Sequence, residues 1–370
     1  MRKQIIVGGV KIGAGAPVSV QSMTNTKTDN VPETVAQINR LAELGCEIVR
    51  VAVPGIAAAE AIGKIKEQIS IPLVADIHFD HKLAIRAANA GADKIRINPG
   101  NLGGADNAKA VAKICKTKNL PIRIGVNSGS ISDDILAKYG GVTADSLQAS
   151  AMSHVELLNR FDFDDICISV KASSVSLTVA ANRLLHESTD YPLHLGVTEA
   201  GTEYAGIIKS SVGIGALLLD GIGDTIRVSL TAPPEREIKA AIMLLKALGL
   251  RGGYELISCP SCGRCEIDLI TIAEEVEHRL EKLAQGAGAV RHKENTFAAA
   301  DYTGHRPPVT VAVMGCVVNG PGEASRADYG ISGGNNEGII FKKGKVVKKV
   351  PMHNLVNELL KSIESETIAF

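Results

Sequence analysis

Over residues 1–250, short β-rich apolar runs alternate with stretches of helical period. The runs cover Pro17–Ser22, Glu47–Val53, Pro72–Ile77, Asp93–Asn98, Pro121–Asn127, Asp165–Lys171, Pro192–Glu199 and Asp224–Leu230. Between them, segments such as Pro32–Leu44, Ala57–Gln68, His81–Ala90 and Pro234–Leu248 repeat their apolar positions every three to four residues, which predicts amphipathic helices. Eight strand–helix repeats in about 250 residues is the count and size of a (β/α)8 barrel. A doubly wound sheet also alternates in this way, so a second pattern bears on the choice. Ala42–Arg50, Ala88–Arg96 and Leu219–Arg227 each end a helix with Gly, pass an acidic residue and enter a strand that carries Arg. Gly is expected at a helix end because it takes the left-handed conformation without strain. Ahead of the barrel, residues 4–15 alternate about Gly8-Gly9 and predict a β-hairpin.

After Gly252-Gly253 the pattern changes. A strand at Tyr254–Ile257, a helix near Glu266–Leu283, a strand at Val309–Met314, a hairpin across Gly338–Val350 turning at Lys343-Gly344, and a helix from about His353 predict an α+β module. The domains are therefore expected over 1–250 and 251–370. Residues 285–308 lack sustained periodicity, end in Pro307-Pro308 and read as an inserted loop.

Arg inside a β-rich run is unexpected. Arg50, Arg96, Arg123 and Arg227 stand among β-branched neighbours, and Lys171 ends a fifth run. Strand side chains alternate, so Arg96 shares a face with Asn98, Arg123 with Asn127, and Arg227 with Ser229. In a barrel that face points inward. Several desolvated guanidinium groups are costly unless an anion or paired carboxylates meet them, so the barrel mouth is expected to bind a multiply charged phosphate ester. The alternative is structural pairing with acids such as Asp76 and Glu199.

Composition narrows the partners. With 40 basic and 40 acidic residues the formal net charge is +0, aromatics are 3% and Trp is absent, so neither a phosphate-tracking surface nor a base-stacking platform is expected. No apolar run approaches the roughly 18 residues of a membrane span. The opening residues, Met-Arg-Lys-Gln-Ile-Ile-Val-Gly-Gly, break their apolar run too early for a signal peptide. Seven scattered cysteines, an odd number, suit a reducing cytoplasm.

Three of those cysteines, Cys259, Cys262 and Cys265, fall within Ile257–Cys265, where Pro260 and Gly263 bend the backbone. A C-x2-C turn can aim two sulfurs at one metal ion or cluster. Cys316 follows in a run that ends Asn-Gly-Pro-Gly-Glu323, making Cys259, Cys262, Cys265, Cys316 and Glu323 the candidate ligands. A four-cysteine structural zinc site is one solution. A plain ferredoxin is not, because Asp268 stands where the ferredoxin run carries its next cysteine. Cys46, Cys115 and Cys167 lie in apolar segments and are expected in the core.

In order along the chain, Val18–Thr26, Val49–Pro54, Ala75–Phe79, Ile95–Asn101, Ile124–Ser130, Ser169–Ser173, Gly196–Gly201, Ser258–Arg264 and Met314–Glu323 resemble the bacterial 4-hydroxy-3-methylbut-2-enyl diphosphate synthases of the non-mevalonate isoprenoid pathway. The resemblance implies a (β/α)8 TIM-type barrel followed by a smaller α+β iron–sulfur domain. It implies a 4Fe-4S cluster on Cys259, Cys262, Cys316 and Glu323, with Cys265 a bystander. The implied substrate is 2-C-methyl-D-erythritol 2,4-cyclodiphosphate, reduced by two electrons from flavodoxin or ferredoxin. Arg50, Arg96, Arg123, Lys171, Arg227 and Ser229 would hold the diphosphate, with Asn127 and Thr198 beside it, and Glu199 would protonate the departing hydroxyl. The same resemblance implies a homodimer in which one subunit's cluster domain serves the other's barrel. Cys265 and the longer interval around 285–308 depart from the family's usual pattern. Two further functions compete: a barrel enzyme acting on another phosphorylated substrate with a zinc-stapled tail, and a non-catalytic metal-binding module.

Overall fold

The computed structural model describes residues 2–286, 309–316, 322, 324–334 and 336–367. They form two compact units, 1–248 and 249–370.

The first unit opens with β1 (Gln4–Val7) and β2 (Val10–Gly13), an antiparallel hairpin turning at Gly8-Gly9, both at positive φ. Eight parallel strands follow: β3 (Ser19–Met23), β4 (Ile48–Ala52), β5 (Leu73–Asp76), β6 (Lys94–Ile97), β7 (Ile122–Asn127), β8 (Ile166–Lys171), β9 (His194–Leu195) and β10 (Thr225–Ile226). Between and after them run α1 (Val31–Glu43), α2 (Ile56–Lys66), α3 (His81–Asn89), α4 (Ala105–Thr117), α5 (Asp133–Tyr139), α6 (Ala144–Asn159), α7 (Val175–Ser188), α8 (Glu203–Leu219) and α9 (Pro234–Ala247). Each strand pairs with its sequence neighbour, β10 pairs with β3, and an Ile168–Leu193 bridge joins β8 to β9. The sheet is thus a closed barrel, not the open doubly wound alternative.

All eight expected strands are present, but the last two are two-residue ladders within the longer apolar runs. Beyond β9 the chain turns through Gly196, where a Cβ would lie 2.6 Å from the Arg227 carbonyl oxygen. Two backbones approach there too closely for a regular side chain.

The hairpin closes one end of the barrel. Ile5, Val7 and Ile12 pack in one buried cluster with Ile48, Val74 and Cys167, which come from the N-terminal halves of β4, β5 and β8. A Cβ on Gly8 would strike Pro72 at 2.8 Å, so the turn lies against the residue that leads into β5. Cys46, Cys115 and Cys167 are buried and free. Burial pushes the Cys46 and Cys115 thiols up to about 12, and they behave as small apolar side chains.

The second unit is a five-stranded sheet in sequence order: β11 (Tyr254–Ser258), β12 (Val309–Met314), β13 (Tyr329–Gly333), β14 (Glu337–Lys342) and β15 (Lys345–Pro351). The first three are parallel and the last two antiparallel. Helices α10 (Leu269–Gly286) and α11 (Leu355–Thr367) share a core with the sheet, built on Val276, Leu280, Val311, Val313, Ile331, Ile340 and Leu359. The expected turn at Lys343-Gly344 is present, with both residues at positive φ as a two-residue hairpin needs. The inserted loop expected at 285–308 lies almost wholly outside the described residues.

Ile12→Ala leaves a hole in the plug, and the barrel is expected to lose about 2–5 kcal/mol. The urea midpoint of the barrel's unfolding transition reports it; an unchanged midpoint would mean that the hairpin does not contribute to barrel stability.

Candidate active site

Register and alternation together bring the charged strand residues to one place. Met23 lies beside Arg50, Asp76 beside Arg96, Arg96 beside Arg123, and Asn127 beside Lys171. They line a cavity of about 220 Å³ with His78, Gly125, Ser169, Thr198, Arg227 and Ser229. Arg50, Arg96, Arg123, Asn127, Lys171, Thr198, Arg227 and Ser229, the residues singled out in the sequence for an anion, all stand on this wall. The site sits at the C-terminal ends of the strands, where barrel enzymes hold their chemistry. Asn98, which shares Arg96's face, is instead spent on structure: its side chain accepts from the Gly100 amide.

Glu199 is not on the wall. It follows Thr198 as an exposed residue with φ 53°, a left-handed conformation costing a non-Gly residue about 1–3 kcal/mol and concentrated at functional loops.

Few carboxylates answer the cations. Arg96 Nη1 donates to Asp76 Oδ1 at 3.1 Å, while Arg50 Nε lies 3.8 Å and His78 Nε2 3.4 Å from Asp76 Oδ2. Burial pushes the Asp76 carboxyl up, but Arg50, the His78 contact and Arg96 outweigh it and hold the group well below the carboxylate range. Glu237, from α9, accepts from Arg227 Nη2 at 3.2 Å and Nε at 3.3 Å, from Ser22 Oγ at 3.0 Å and from the Leu230 amide at 3.1 Å. Arg50, Arg96, Arg123, Lys171 and Arg227 therefore share two acidic partners.

Burial and mutual repulsion weaken the hold of three of these cations on their protons. Burial, then the Arg96 guanidinium, lowers Arg123 to about 10. Burial also lowers Arg50 against the pull of Asp76. Lys171 is driven well below its ordinary value by burial and then by Arg123, Arg227, Arg50 and Arg96. One step deeper on β6, burial lowers the fully enclosed Lys94 to about 8. A di-anion among the cavity's cations would offset their mutual repulsion, since charge-assisted hydrogen bonds are the strong ones.

Two glycines make the geometry possible. A Cβ at Gly125 would lie 2.5 Å from Arg96 Nε, and one at Gly196 would lie 2.6 Å from Lys171 Nζ. Both cations rest against bare backbone. Neither glycine, nor Glu237, was evident from the sequence, because each acts across strands. For Glu237, its place early in a helix that follows an Arg-bearing strand is the one available hint.

In the second unit, Cys259 and Cys316 follow the C-terminal ends of the paired strands β11 and β12. The Gly315 amide donates to Cys259 Sγ at 3.2 Å, and the Cys316 carbonyl accepts from Ser332 Oγ at 2.6 Å. Cys262 is exposed on the same loop, and its carbonyl accepts from the Cys265 amide. Cys265 is engaged by the fold itself: its thiol donates to the Ile267 carbonyl at 3.2 Å, and a Cβ on Gly315 would meet its sulfur at 2.7 Å. Among the described residues no three Cys, His, Asp or Glu side chains form a closed metal cage. Glu323 lies outside the described residues.

Residues 2–242 match the model of the GcpE TIM-barrel domain, and residues 255–365 that of the GcpE protein C-terminal domain. The chain belongs to the GcpE family. Among curated GcpE relatives, the 4-hydroxy-3-methylbut-2-en-1-yl diphosphate synthase (flavodoxin) of Ruminiclostridium cellulolyticum is 53% identical over 362 residues, 98% of this chain and 96% of the relative. The protein of the same name from Bacillus subtilis is 52% identical over 363 residues, covering 98% and 90%. Among solved structures, the type I 3-dehydroquinate dehydratase of Clostridium difficile is similar over 67% of this GcpE chain and 98% of its own, with a TM-score of 0.50 at 16% identity, a likeness of fold alone.

Because the empty cavity depresses Lys171, a bound diphosphate should bring a proton with it. Between the empty-site pKa and the ordinary value of 10.5 the free amine is neutral and the complexed one charged, so affinity falls as pH rises. Calorimetry of pyrophosphate binding in buffers of different ionisation enthalpy is expected to show net proton uptake that grows as pH rises toward 10.5. No uptake would mean that Lys171 is already charged in the empty site.

Proposed function

We propose that this GcpE-family chain converts 2-C-methyl-D-erythritol 2,4-cyclodiphosphate to 4-hydroxy-3-methylbut-2-enyl diphosphate with two electrons from flavodoxin. The observation that carries this is the likeness, 53% over 98% of the chain, to relatives named for that synthase. The cation-walled cavity agrees with it. The chain is an oxidoreductase of isoprenoid precursor synthesis.

The chemistry explains why so much positive charge is gathered. Two carbon–oxygen bonds break: one frees the ring phosphate, and the other releases a hydroxyl that leaves as water after taking one proton. The two electrons supply the new carbon–carbon double bond. The product therefore carries one more negative charge than the substrate, as a ring phosphate becomes a terminal one. Arg50, Arg96, Arg123, Lys171, Arg227 and Ser229 hold the diphosphate, and Asn127 and Thr198 orient the carbon skeleton beside it. A buried clamp of this kind favours the product charge as it develops. Glu199 gives the proton to the departing hydroxyl, and its left-handed backbone is the strained geometry expected of a residue held for such a task.

The cysteine loop fits a 4Fe-4S cluster. Cys259, Cys262 and Cys316 are outside any disulfide, on the segments that follow two adjacent strands, and an amide-to-sulfur hydrogen bond such as that from Gly315 suits a cluster thiolate. Glu323 would be the fourth ligand, a harder donor than thiolate and more readily exchanged. When bound, the cluster supplies electrons one at a time. Cys265, engaged by the Ile267 carbonyl, is left out of the set.

The active enzyme is a homodimer. The family resemblance carries this reading, in which one chain's cluster unit serves the barrel of the other. On the barrel's outer surface Tyr204, Ile208, Val212 and Leu219 form an exposed apolar stripe along α8 that a second copy would cover. No described helix is long and apolar enough to cross a membrane. Free cysteines and a flavodoxin donor suit the cytoplasm.

Anaerobic turnover of the cyclodiphosphate with reduced flavodoxin tests the reaction, and its absence in iron-loaded protein would remove it. Cys259→Ser, Cys262→Ser and Cys316→Ser are each expected to lose iron, while Cys265→Ser keeps it. Equal loss at Cys265 would favour a four-cysteine site.

Mixing an inactive Glu199→Gln chain with an inactive Cys316→Ser chain, under conditions that exchange subunits, is expected to restore part of the activity. Inactive mixtures containing demonstrated heterodimers would show that each chain serves its own barrel.

A further inference from the structure

The β14–β15 hairpin packs Lys342, Lys343, Lys345, Lys348 and Lys349 into residues 342–349 of a chain whose net charge is +0. Lys348 Nζ is 2.5 Å from Glu358 Oε2, and the Lys342 ammonium lies 5.1 Å from the Tyr329 ring centre. Lys343, Lys345 and Lys349 are exposed. Among them the pairing slips between Ile340 and Phe341, a bulge that leaves Val346 and Val347 53% and 59% exposed.

Strand β15 is the edge of its sheet, and lysines on an edge guard against pairing with other chains. Guarding accounts for the charges. It does not account for two adjacent bare valines, which weaken such a guard. A small apolar centre rimmed by charge of one sign is instead the make-up of a face for brief, electrostatically steered encounters. Its position is also telling. Lys349 pairs with Ile339, Ile339 with Ser332, and Ser332 with Met314, two residues before Cys316. Three strand spacings put the basic edge roughly 14 Å from the backbone at Met314.

We propose that this hairpin is the docking face for an acidic electron-carrier protein of the flavodoxin kind, with Lys343, Lys345 and Lys349 meeting its carboxylates and Val346 and Val347 the apolar centre. The inference rests on the reductive function proposed above. Each docking delivers one electron from the reduced flavin, so two dockings serve one turnover.

Lys345→Glu combined with Lys349→Glu tests it in the full chain. Titration of oxidised flavodoxin at low ionic strength is expected to show Kd raised about tenfold or more by the double variant, with a shallower salt dependence. Cyclodiphosphate reduction driven by a small donor, dithionite-reduced methyl viologen, is expected to be unchanged. Should the reversal fail to fold, Lys345→Gln with Lys349→Gln makes the same comparison with a smaller shift. An unchanged flavodoxin Kd would leave the lysines as edge guards and overturn the proposal. An altered association state in sedimentation would assign the face to a second copy and also overturn it. Failure of both donors with the unmodified chain would instead strike the proposed reaction.

Discussion

Like charges held together out of water dominate this chain. Five cations project into one barrel mouth, and two carboxylates, Asp76 and Glu237, are in contact with them. Burial first, and then the repulsion of neighbouring cations, makes Arg50, Arg123 and Lys171 hold their protons less firmly than usual. Such an arrangement is a poor way to stabilise a fold. On the proposed function it is a means of binding: a multiply charged anion would offset the repulsion, while the barrel's own hydrophobic core carries the cost of holding the cations together.

Much of the local architecture serves to keep those cations apart and aimed. Arg96 and Lys171 lie over glycines, so neither can be crowded sideways by a neighbouring side chain. Arg50 Nη2 rests 2.8 Å from the Met23 sulfur, a soft partner that accepts without adding charge. Glu237 reaches in from a helix to fix Arg227 and, through the Leu230 amide, the loop that follows β10. Only the two carboxylates neutralise; the other devices position.

The barrel and most of its mouth were legible because strand alternation is local. Once Arg96 and Arg123 are read as strand residues among β-branched neighbours, the face they share follows from period two. The ends of the barrel were less legible. β9 and β10 are two residues long because glycine and close backbone contact, not propensity, decide where their ladders stop. In the second unit β13 went unread, since Tyr329–Gly333 alternates with glycine and gains its strand character from pairing with β12 and β14. The three cysteines of the Ile257–Cys265 loop stood out by density alone, yet their spacing could not rank Cys265 against the others. Its packing against Gly315, fifty residues on, is a tertiary fact.

The hairpin that closes the N-terminal end of the barrel also fixes the traffic through it. With Ile5, Val7 and Ile12 seated against Ile48, Val74 and Cys167, apolar side chains fill the barrel end away from the cavity, and the mouth is the way in and out that the described residues leave. The product of the proposed reaction would then leave by the mouth that the next cyclodiphosphate needs. It leaves with one more negative charge than its precursor brought, against cations chosen to grip phosphate. The cations that would draw the substrate in would therefore also hold back its product.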